Sequence, residues 1–168
     1  MSLINDIKNS NNFNDENILN ILNSDEYDNE LFIEADKIRR EIYGEDVYIR
    51  GLIEFTNYCK NDCLYCGIRR SNLKCDRYRL SKKDIYKCCD TGYELGFRTY
   101  VLQGGEDMSF SDKDICEIVY NIKTEYPDCA VTLSIGERSK KSYLDFKNAG
   151  ADLSLIHISE PTRLRRIS

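Results

Sequence analysis

A stretch of eight residues holds three cysteines, Cys59, Cys63 and Cys66, and no histidine is nearby. Thiolates bind iron–sulfur clusters and zinc, and packing alone would not require this spacing. Three thiolates from one loop can hold three irons of a 4Fe–4S cube and leave the fourth iron open to an exogenous ligand. Zinc is the main alternative, but its sites ordinarily need a fourth ligand, for which only Cys75 is nearby. The segment therefore predicts a metal-cluster loop.

Two further polar motifs follow short apolar segments, namely Gly104, Gly105 and Glu106 in the first, and Ser134, Glu137 and Arg138 in the second. Glycines allow the backbone to approach a ligand closely, and a carboxylate suits an ammonium group. The alternative for the first motif is a tight turn between a strand and a helix. The alternative for the second is a helix start, with Glu137 near the favourable end of the dipole. The position of the first motif, behind a strand and downstream of the cysteine loop, favours ligand binding.

The other cysteines and the basic residues have plainer interpretations. Cys88, Cys89, Cys116 and Cys129 fall on predicted helices or beside a strand, where free cysteine packs as a small hydrophobe. The arginine-rich segment 69–79 could offset the negative charge of a thiolate-ligated cluster or attract an anionic substrate. We interpret most of its charges as solvated surface, because that is the usual role of a charge run.

The segments around these motifs alternate between strands and helices. Strands are predicted at 47–55, 99–102 and 130–134, and each ends at one of the three polar motifs. Helices are predicted at 81–95, 111–126 and 139–149, beginning at Ser81, Ser111 and Ser139. This alternation predicts an α/β fold with a parallel sheet covered by helices. In such folds ligands bind at the carboxyl ends of the strands, so all three motifs should face one site.

Two amphipathic helices are predicted before the first strand, at 14–23 and 26–43, with Gly44 ending the second. Their apolar spacing predicts that they lead into the core. The first strand, 47–55, is β-branched and aromatic, which predicts burial on both of its faces.

Composition narrows the classes of partner. The chain has 168 residues, a formal charge of −5 and a pI near 5.0, so it lacks the basic surface that nucleic acid or an anionic membrane would require. A small-molecule or protein partner is expected instead. The N-terminal segment has no signal-peptide pattern, and eight cysteines without a secretory signal favour metal or redox chemistry over disulfides. We therefore expect a cytoplasmic protein.

From residue 153 the composition changes abruptly. Segment 153–168 holds the only histidine, His157, and one of the two prolines, Pro161. Residues 153–163 match the translation of a transposase end used as a sequencing adapter, so we interpret 153–168 as foreign and give His157 no functional weight. The apolar residues of this segment could still mimic a further buried strand: Leu153, Leu155, Ile156 and Ile158.

The cysteine spacing, with Tyr65 as the aromatic residue before the last cysteine, resembles the signature of the radical S-adenosylmethionine (SAM) superfamily. A closer resemblance, to the HydE family of FeFe-hydrogenase maturases, is carried by segments 50–59, 66–72, 77–79, 101–107 and 133–138. The family fold is a (β/α)8 TIM-type barrel. The resemblance implies its N-terminal half, in residues 45–152, preceded by a helical segment in residues 1–44.

The resemblance also implies roles for the site residues. Cys59, Cys63 and Cys66 would hold a 4Fe–4S cluster whose open iron binds SAM, and the reduced cluster would cleave SAM to a 5′-deoxyadenosyl radical. Tyr65 would lie beside the adenine. The remaining SAM contacts implied are Gly104, Gly105 and Glu106 at the methionine amino group, and Ser134, Glu137 and Arg138 in a third segment.

The implied activity is maturation of the FeFe-hydrogenase di-iron cofactor, acting on a small iron-containing precursor. Other hydrogenase maturases and an electron donor are the implied partners. Biotin synthase and methylornithine synthase resemble the same part of the chain and are alternatives, and a zinc-stabilised binding module without catalysis is an alternative of another class. Because the resemblance covers only the first half of the barrel, we expect the chain as it stands to be inactive.

Overall fold

The structure is a computed structural model and describes residues 14–155. Two compact units divide the chain, Met1–Tyr48 and Ile49–Ser168. None of the helices among the described residues is long and apolar enough to cross a membrane.

The described part of the first unit consists of helix α1 (Asp15–Leu22), a 3-10 turn (Asp25–Tyr27) and helix α2 (Asp28–Tyr43). The Asn14 side chain caps α1 by accepting from the Asn17 N–H at 2.8 Å, and Gly44 ends α2 at a φ of 66°. Within this unit the described helices form no core of their own, and the prediction that they lead into the core stays a prediction. Neither helix has a buried residue, and Leu22 is 74% exposed. So short a segment has too little chain to enclose its own apolar surface.

The second unit alternates strands and helices: β1 (Gly51–Thr56), α3 (Lys82–Glu94), β2 (Thr99–Gly104), α4 (Asp112–Glu125), β3 (Ala130–Ser134), α5 (Lys140–Ala149) and β4 (Leu153–Ser154). The strands form a parallel sheet in the order β1-β2-β3-β4. The predicted α/β alternation and parallel sheet are confirmed. Each polar motif therefore lies at or just beyond the carboxyl end of its strand.

The three helices of this unit begin where their serines predict. Ser81 and Ser111 each form a capping box, with Asp84 and Asp114 respectively, and the Ser139 hydroxyl accepts from the Ser142 N–H. These caps satisfy backbone donors that would otherwise lack partners at the helix starts. The helices pack on the sheet around a core of buried apolar side chains that includes Ile53, Phe55, Ile85, Leu102, Ile115, Ile118, Ile122, Leu133 and Phe146.

Strand β1 differs from its prediction in two respects. It begins at Gly51 rather than at residue 47, and Val47 is exposed. It is also buried on one face only, because Ile53 and Phe55 point into the core whereas Leu52 is 55% exposed. β1 lies at one edge of the described sheet, and only the face that carries Ile53 and Phe55 is covered.

Strand β4 is two residues long and pairs with β3, where Leu153 is opposite Thr132. Leu153 and Leu155 are 49% and 41% exposed, so this part of the segment is a marginal strand and not a buried one. The predicted apolar positions Ile156 and Ile158 lie outside the described residues.

Candidate active site

A cavity of about 690 Å³ lies at the carboxyl ends of β1, β2 and β3. This volume is within the range of sites that bind small molecules. All but one of the predicted site residues line it: Cys59, Cys63, Tyr65, Cys66, Gly104, Gly105, Glu106, Ser134 and Glu137. Motifs far apart in the sequence therefore form one wall, as the parallel sheet predicts.

The cysteine loop is tied to the turn that follows β2. The Cys59 Sγ accepts from the Glu106 N–H at 3.4 Å, and the Lys60 N–H donates to the Glu106 carbonyl at 3.1 Å. The Cys66 N–H donates to the Cys63 carbonyl at 2.9 Å, which closes a turn between these two cysteines. All three thiols are half-buried, so they are accessible from the cavity and still held by the loop.

Within residues 14–155 no three His, Cys, Asp or Glu side chains are arranged around a single metal ion. A 4Fe–4S cluster makes a different demand, since each thiolate would bind a separate iron. The donor set here is three thiols on one short loop beside a cavity, which fits a cluster with one iron left for another ligand.

Gly105 is required by the approach of the cysteine loop. A Cβ at this position would lie 2.2 Å from the Tyr58 carbonyl oxygen and 2.7 Å from the Cys59 Cβ. The first neighbour is a main-chain atom and the second is bonded to the main chain, so no side-chain rotation can move either of them. The turn after β2 can therefore touch the cysteine loop only with glycine at this position.

Glu106 is held by two residues of the cysteine loop. Its Oε2 lies 2.8 Å from the Lys60 Nζ, and its Oε1 accepts from the Asn61 Nδ2 at 2.7 Å. The carboxylate is 13% exposed, whereas the Lys60 side chain is 53% exposed. The hydrogen bond and charge of Glu106 raise the pKa of Lys60. The predicted ammonium acceptor is thus a side chain on the cavity wall that already accepts from Lys60 and Asn61.

The turn after β3 completes the wall. Gly136 has a φ of 77°, and a Cβ there would lie 2.0 Å from the Glu106 Cγ, so glycine is required for both conformation and space. Ser134 is buried at the end of β3, and Glu137 is exposed at the cavity. Glu106 and Glu137 give this end of the cavity two carboxylates.

Arg138 lies outside the cavity wall. Its guanidinium donates to Asp112 at 3.2 Å and to the carbonyls of Asp107 and Phe110, both at 3.4 Å. In this conformation it joins the start of α5 to the segment between β2 and α4. Cys75 is also outside the wall, where its Sγ accepts from the Asn57 Nδ2 at 3.6 Å.

Two arginines of segment 69–79 hold the site together, so the interpretation of most of its charges as solvated surface does not extend to them. Arg77 donates to four backbone carbonyls, those of Asn57, Ile68, Arg69 and Asn72. These carbonyls lie on both sides of the cysteines, so one guanidinium fixes the whole loop. Tertiary contacts decide that Arg77 is half-buried. The sequence gives only one indication of its role, which is that it follows the cysteine segment closely.

Arg79 forms a two-pronged ion pair with Asp107, at 2.5 and 3.0 Å. Its guanidinium also lies 3.7 Å from the centre of the Tyr58 ring. Burial alone would raise the pKa of Asp107, but hydrogen bonds from Arg79, the Ser109 N–H and Thr56 lower it to about 2. Arg79 therefore links Asp107, which follows Glu106, to Tyr58, which precedes Cys59.

Cys89, Cys116 and Cys129 are packing groups, as predicted, whereas Cys88 is exposed, so the packing prediction is wrong for it. Cys89 and Cys129 are buried, and burial raises the pKa of Cys89 to about 12. Burial also raises the pKa of Cys116 and Cys129. A thiol that resists ionisation is a poor nucleophile and a poor metal ligand.

Several known enzymes are similar to this chain. The [FeFe] hydrogenase maturase subunit HydE of Thermotoga maritima is 42% identical over 135 residues, which cover 80% of this chain and 38% of that protein. The 3-methylornithine synthase of Methanosarcina acetivorans is 29% identical over 138 residues, which cover 81% and 39%. The chain therefore spans about two fifths of the length of these relatives. No family model matches the sequence.

Solved structures share the fold. Methylornithine synthase (PylB) superposes with a TM-score of 0.80 at 24% identity, covering 98% of this chain and 55% of that one. HydG, a maturase of the [FeFe]-hydrogenase, superposes with a TM-score of 0.76 at 26% identity, covering 92% and 36%. The sheet and helices of the second unit are thus a part of a TIM-type barrel.

These matches support membership of the radical SAM superfamily, a class of enzymes, and confirm the resemblance predicted from the motifs. Within that superfamily they support the HydE-like group.

Proposed function

We propose that this chain is the N-terminal part of a HydE-type maturase that binds a 4Fe–4S cluster and SAM. The observation that carries the proposal is the single cavity that joins the three thiols to the Gly104, Gly105 and Glu106 turn. The similarity to HydE, at 42% identity, supports the same assignment.

In this proposal Cys59, Cys63 and Cys66 hold the cluster. A bound cluster supplies one-electron reductive cleavage of SAM. The half-buried thiols suit this role, because the loop can hold them in place while the cavity admits a ligand.

The other cavity residues bind and orient SAM. Glu106 accepts the ammonium group of its methionine part, and Gly105 allows the backbone to come close. Tyr65, exposed at the cavity, lies beside the adenine. Further contacts come from Gly104, Ser134 and Glu137. A direct role for Arg138 requires that it leave Asp112.

The activity of the whole protein is maturation of the di-iron cofactor of FeFe hydrogenase. Its substrate in this proposal is a small iron-containing precursor, and its partners are an electron donor and other maturases. We propose a cytoplasmic location, which the eight free cysteines of the described residues support. We assign the site to residues 45–152, with 1–44 as a helical segment and 153–168 as foreign sequence.

A methylornithine synthase-like activity is the second candidate. It is supported by 31% identity over 156 residues to the 3-methylornithine synthase of Methanosarcina barkeri. Both candidates bind the same cofactors and differ in substrate. A gene position beside an FeFe hydrogenase and its maturases would favour the first.

The test of cluster binding is anaerobic reconstitution of the chain with iron and sulfide. We expect a brown protein that gives an electron paramagnetic resonance (EPR) signal after reduction. Cys59→Ala, Cys63→Ala and Cys66→Ala should each abolish the colour, because each removes one thiolate ligand. Cys88→Ala is the matched control, since Cys88 is exposed and does not line the cavity. A colourless protein with stoichiometric zinc would contradict the proposal and favour the zinc module.

A further inference from the structure

The carboxylate of Glu106 already has an ammonium partner within the chain. Lys60 Nζ lies 2.8 Å from its Oε2, while Asn61 holds its Oε1 at 2.7 Å. Lys60 is 53% exposed and carries a flexible, strongly hydrated head group. An ion pair with one partner in water is worth little and can exchange readily. Asn61 is uncharged, so an incoming ammonium group would displace Lys60 and not Asn61.

A second carboxylate lines the same cavity as Lys60. It belongs to Glu137, which is exposed. If Lys60 leaves Glu106, it therefore still has an acidic neighbour on the cavity wall. The two carboxylates are not equivalent, because Glu106 is 13% exposed and is fixed by Asn61.

We propose that Lys60 is an exchangeable counter-ion of Glu106, which a ligand carrying an ammonium group must displace. The ammonium of the ligand takes the place of Lys60 at Glu106, and Lys60 moves towards Glu137. Two ammonium groups at the same carboxylate oxygen would repel each other, so the ligand and Lys60 compete. A ligand without an ammonium leaves Lys60 in place and gains nothing from Glu106. This inference rests on the proposed binding of SAM.

The first test measures equilibrium binding of SAM to the anaerobically reconstituted chain and to its Lys60→Met variant. Removal of the competitor should tighten SAM binding about fivefold, the value of a partly exposed ion pair. An analogue of SAM without the amino group should bind both proteins equally. Lys87→Met, on the exposed surface of α3, is the control for loss of one positive charge and should leave SAM binding unchanged. Circular dichroism checks that each variant is folded.

The second test asks where Lys60 goes. Glu137→Gln should weaken SAM binding in the wild-type background, because displaced Lys60 loses its second carboxylate. The same change should cost less affinity in the Lys60→Met background, where only the direct contact of Glu137 with SAM is lost. An equal loss of affinity in both backgrounds would assign the whole effect to that direct contact and overturn the proposed movement.

The outcomes separate this inference from the proposed function. A reconstituted wild-type chain that forms the cluster but does not bind SAM overturns both. A chain that binds SAM, but binds it equally or less tightly after Lys60→Met, overturns only the exchange, since Lys60 then holds Glu106 in a productive position. A gain shared by the analogue without the amino group also overturns it, because the effect is then one of general charge.

Discussion

Asp107 follows Glu106 directly in the chain and is buried. Its buried carboxylate accepts from Thr56 at 2.8 Å, from the Ser109 N–H at 3.0 Å and from Arg79 through two bonds. Thr56 ends β1 and Arg79 follows the cysteine loop, so Asp107 joins three segments next to the cavity. Burial alone would raise the pKa of this carboxyl, but the hydrogen bonds from Arg79, Ser109 and Thr56, together with the charge of Arg79, outweigh it.

Acid should remove the contribution of Asp107 to stability. Its folded pKa, about 2, is below an unfolded value of about 3.9, so the contribution is complete above pH 4 and is lost as pH falls towards 2. At pH 7 we expect Asp107→Asn to lower the free energy of unfolding by about 2 kcal/mol. The difference from wild type should shrink by a similar amount at pH 2, measured by urea unfolding.

The exposed Asp46→Asn variant is the control for that measurement, and it should follow the wild type at every pH. A gap between wild type and Asp107→Asn that stays constant from pH 7 to pH 2 would show that the Asp107 charge does not stabilise the fold.

Sequence patterns could not predict this anchor. The spacing of the three cysteines and the position of Glu106 after a strand predicted that these residues lie together, and they line one cavity. Arg79 and Asp107 are 28 positions apart, and each looks like an ordinary surface charge until the fold brings them together. The same holds for Lys60, whose partner Glu106 follows a different strand.

At the scale of elements, the site depends on contact between the cysteine loop and the turn after β2. Gly105 makes that contact possible, and Arg77 keeps the loop in one shape through its four carbonyl partners. Neither feature belongs to a helix or a strand. Both are set by how β1 and β2 pair, with a shift of register between Glu54 and Thr56 just before the loop.

Gly105→Ala should push the cysteine loop away from the turn, because the new Cβ would lie 2.2 Å from the Tyr58 carbonyl oxygen. We expect loss of most of the iron retained after reconstitution, at a cost of about 1–3 kcal/mol in stability. Gly67→Ala is the matched control in the cysteine loop, since a Cβ there has no neighbour within 4 Å. Equal iron retention by the two variants would mean that the close approach is not needed.

Arg77→Met should loosen the cysteine loop and leave the sheet intact. The change frees four carbonyls at once, so the amides of residues 57–72 should exchange with deuterium faster, while those of β2 keep their protection. Hydrogen exchange with fragment analysis measures this directly. If exchange rises equally in β2, Arg77 supports the fold as a whole and has no special role in the loop.

The order of elements was predictable because each has a local signal. Ser81, Ser111 and Ser139 begin their helices by capping them, and apolar segments mark β2 and β3. The start of β1 was not predictable, because residues 47–50 are as apolar and β-branched as the strand itself. They lie outside the sheet since β2 begins to pair with β1 only at Gly51.

At the scale of the molecule, the described sheet has β1 at one edge and β4 at the other. The whole cavity wall comes from β2, β3 and the loops after β1, β2 and β3, and β4 contributes nothing to it. The proposed cluster and ligand site therefore lies within the described residues of the second unit.

Strand β4 should behave as a weak addition to this sheet. It has two residues, and Leu153 and Leu155 are largely exposed, so its amides should exchange with deuterium much faster than those of Val131 to Leu133 in β3. Protection of the Leu155 amide, which donates to the Leu133 carbonyl at 2.7 Å, at the level of Val101 would contradict the interpretation of this segment as foreign.

The central claim is that the three thiols hold a cluster with one iron open to SAM. The most direct measurement is the EPR spectrum of the reduced, reconstituted chain before and after addition of SAM. We predict a 4Fe–4S signal whose g-values change when SAM is added, because the ligand binds the iron that no cysteine holds. A cluster signal that SAM leaves unchanged, or a chain that takes up no iron, would contradict the claim.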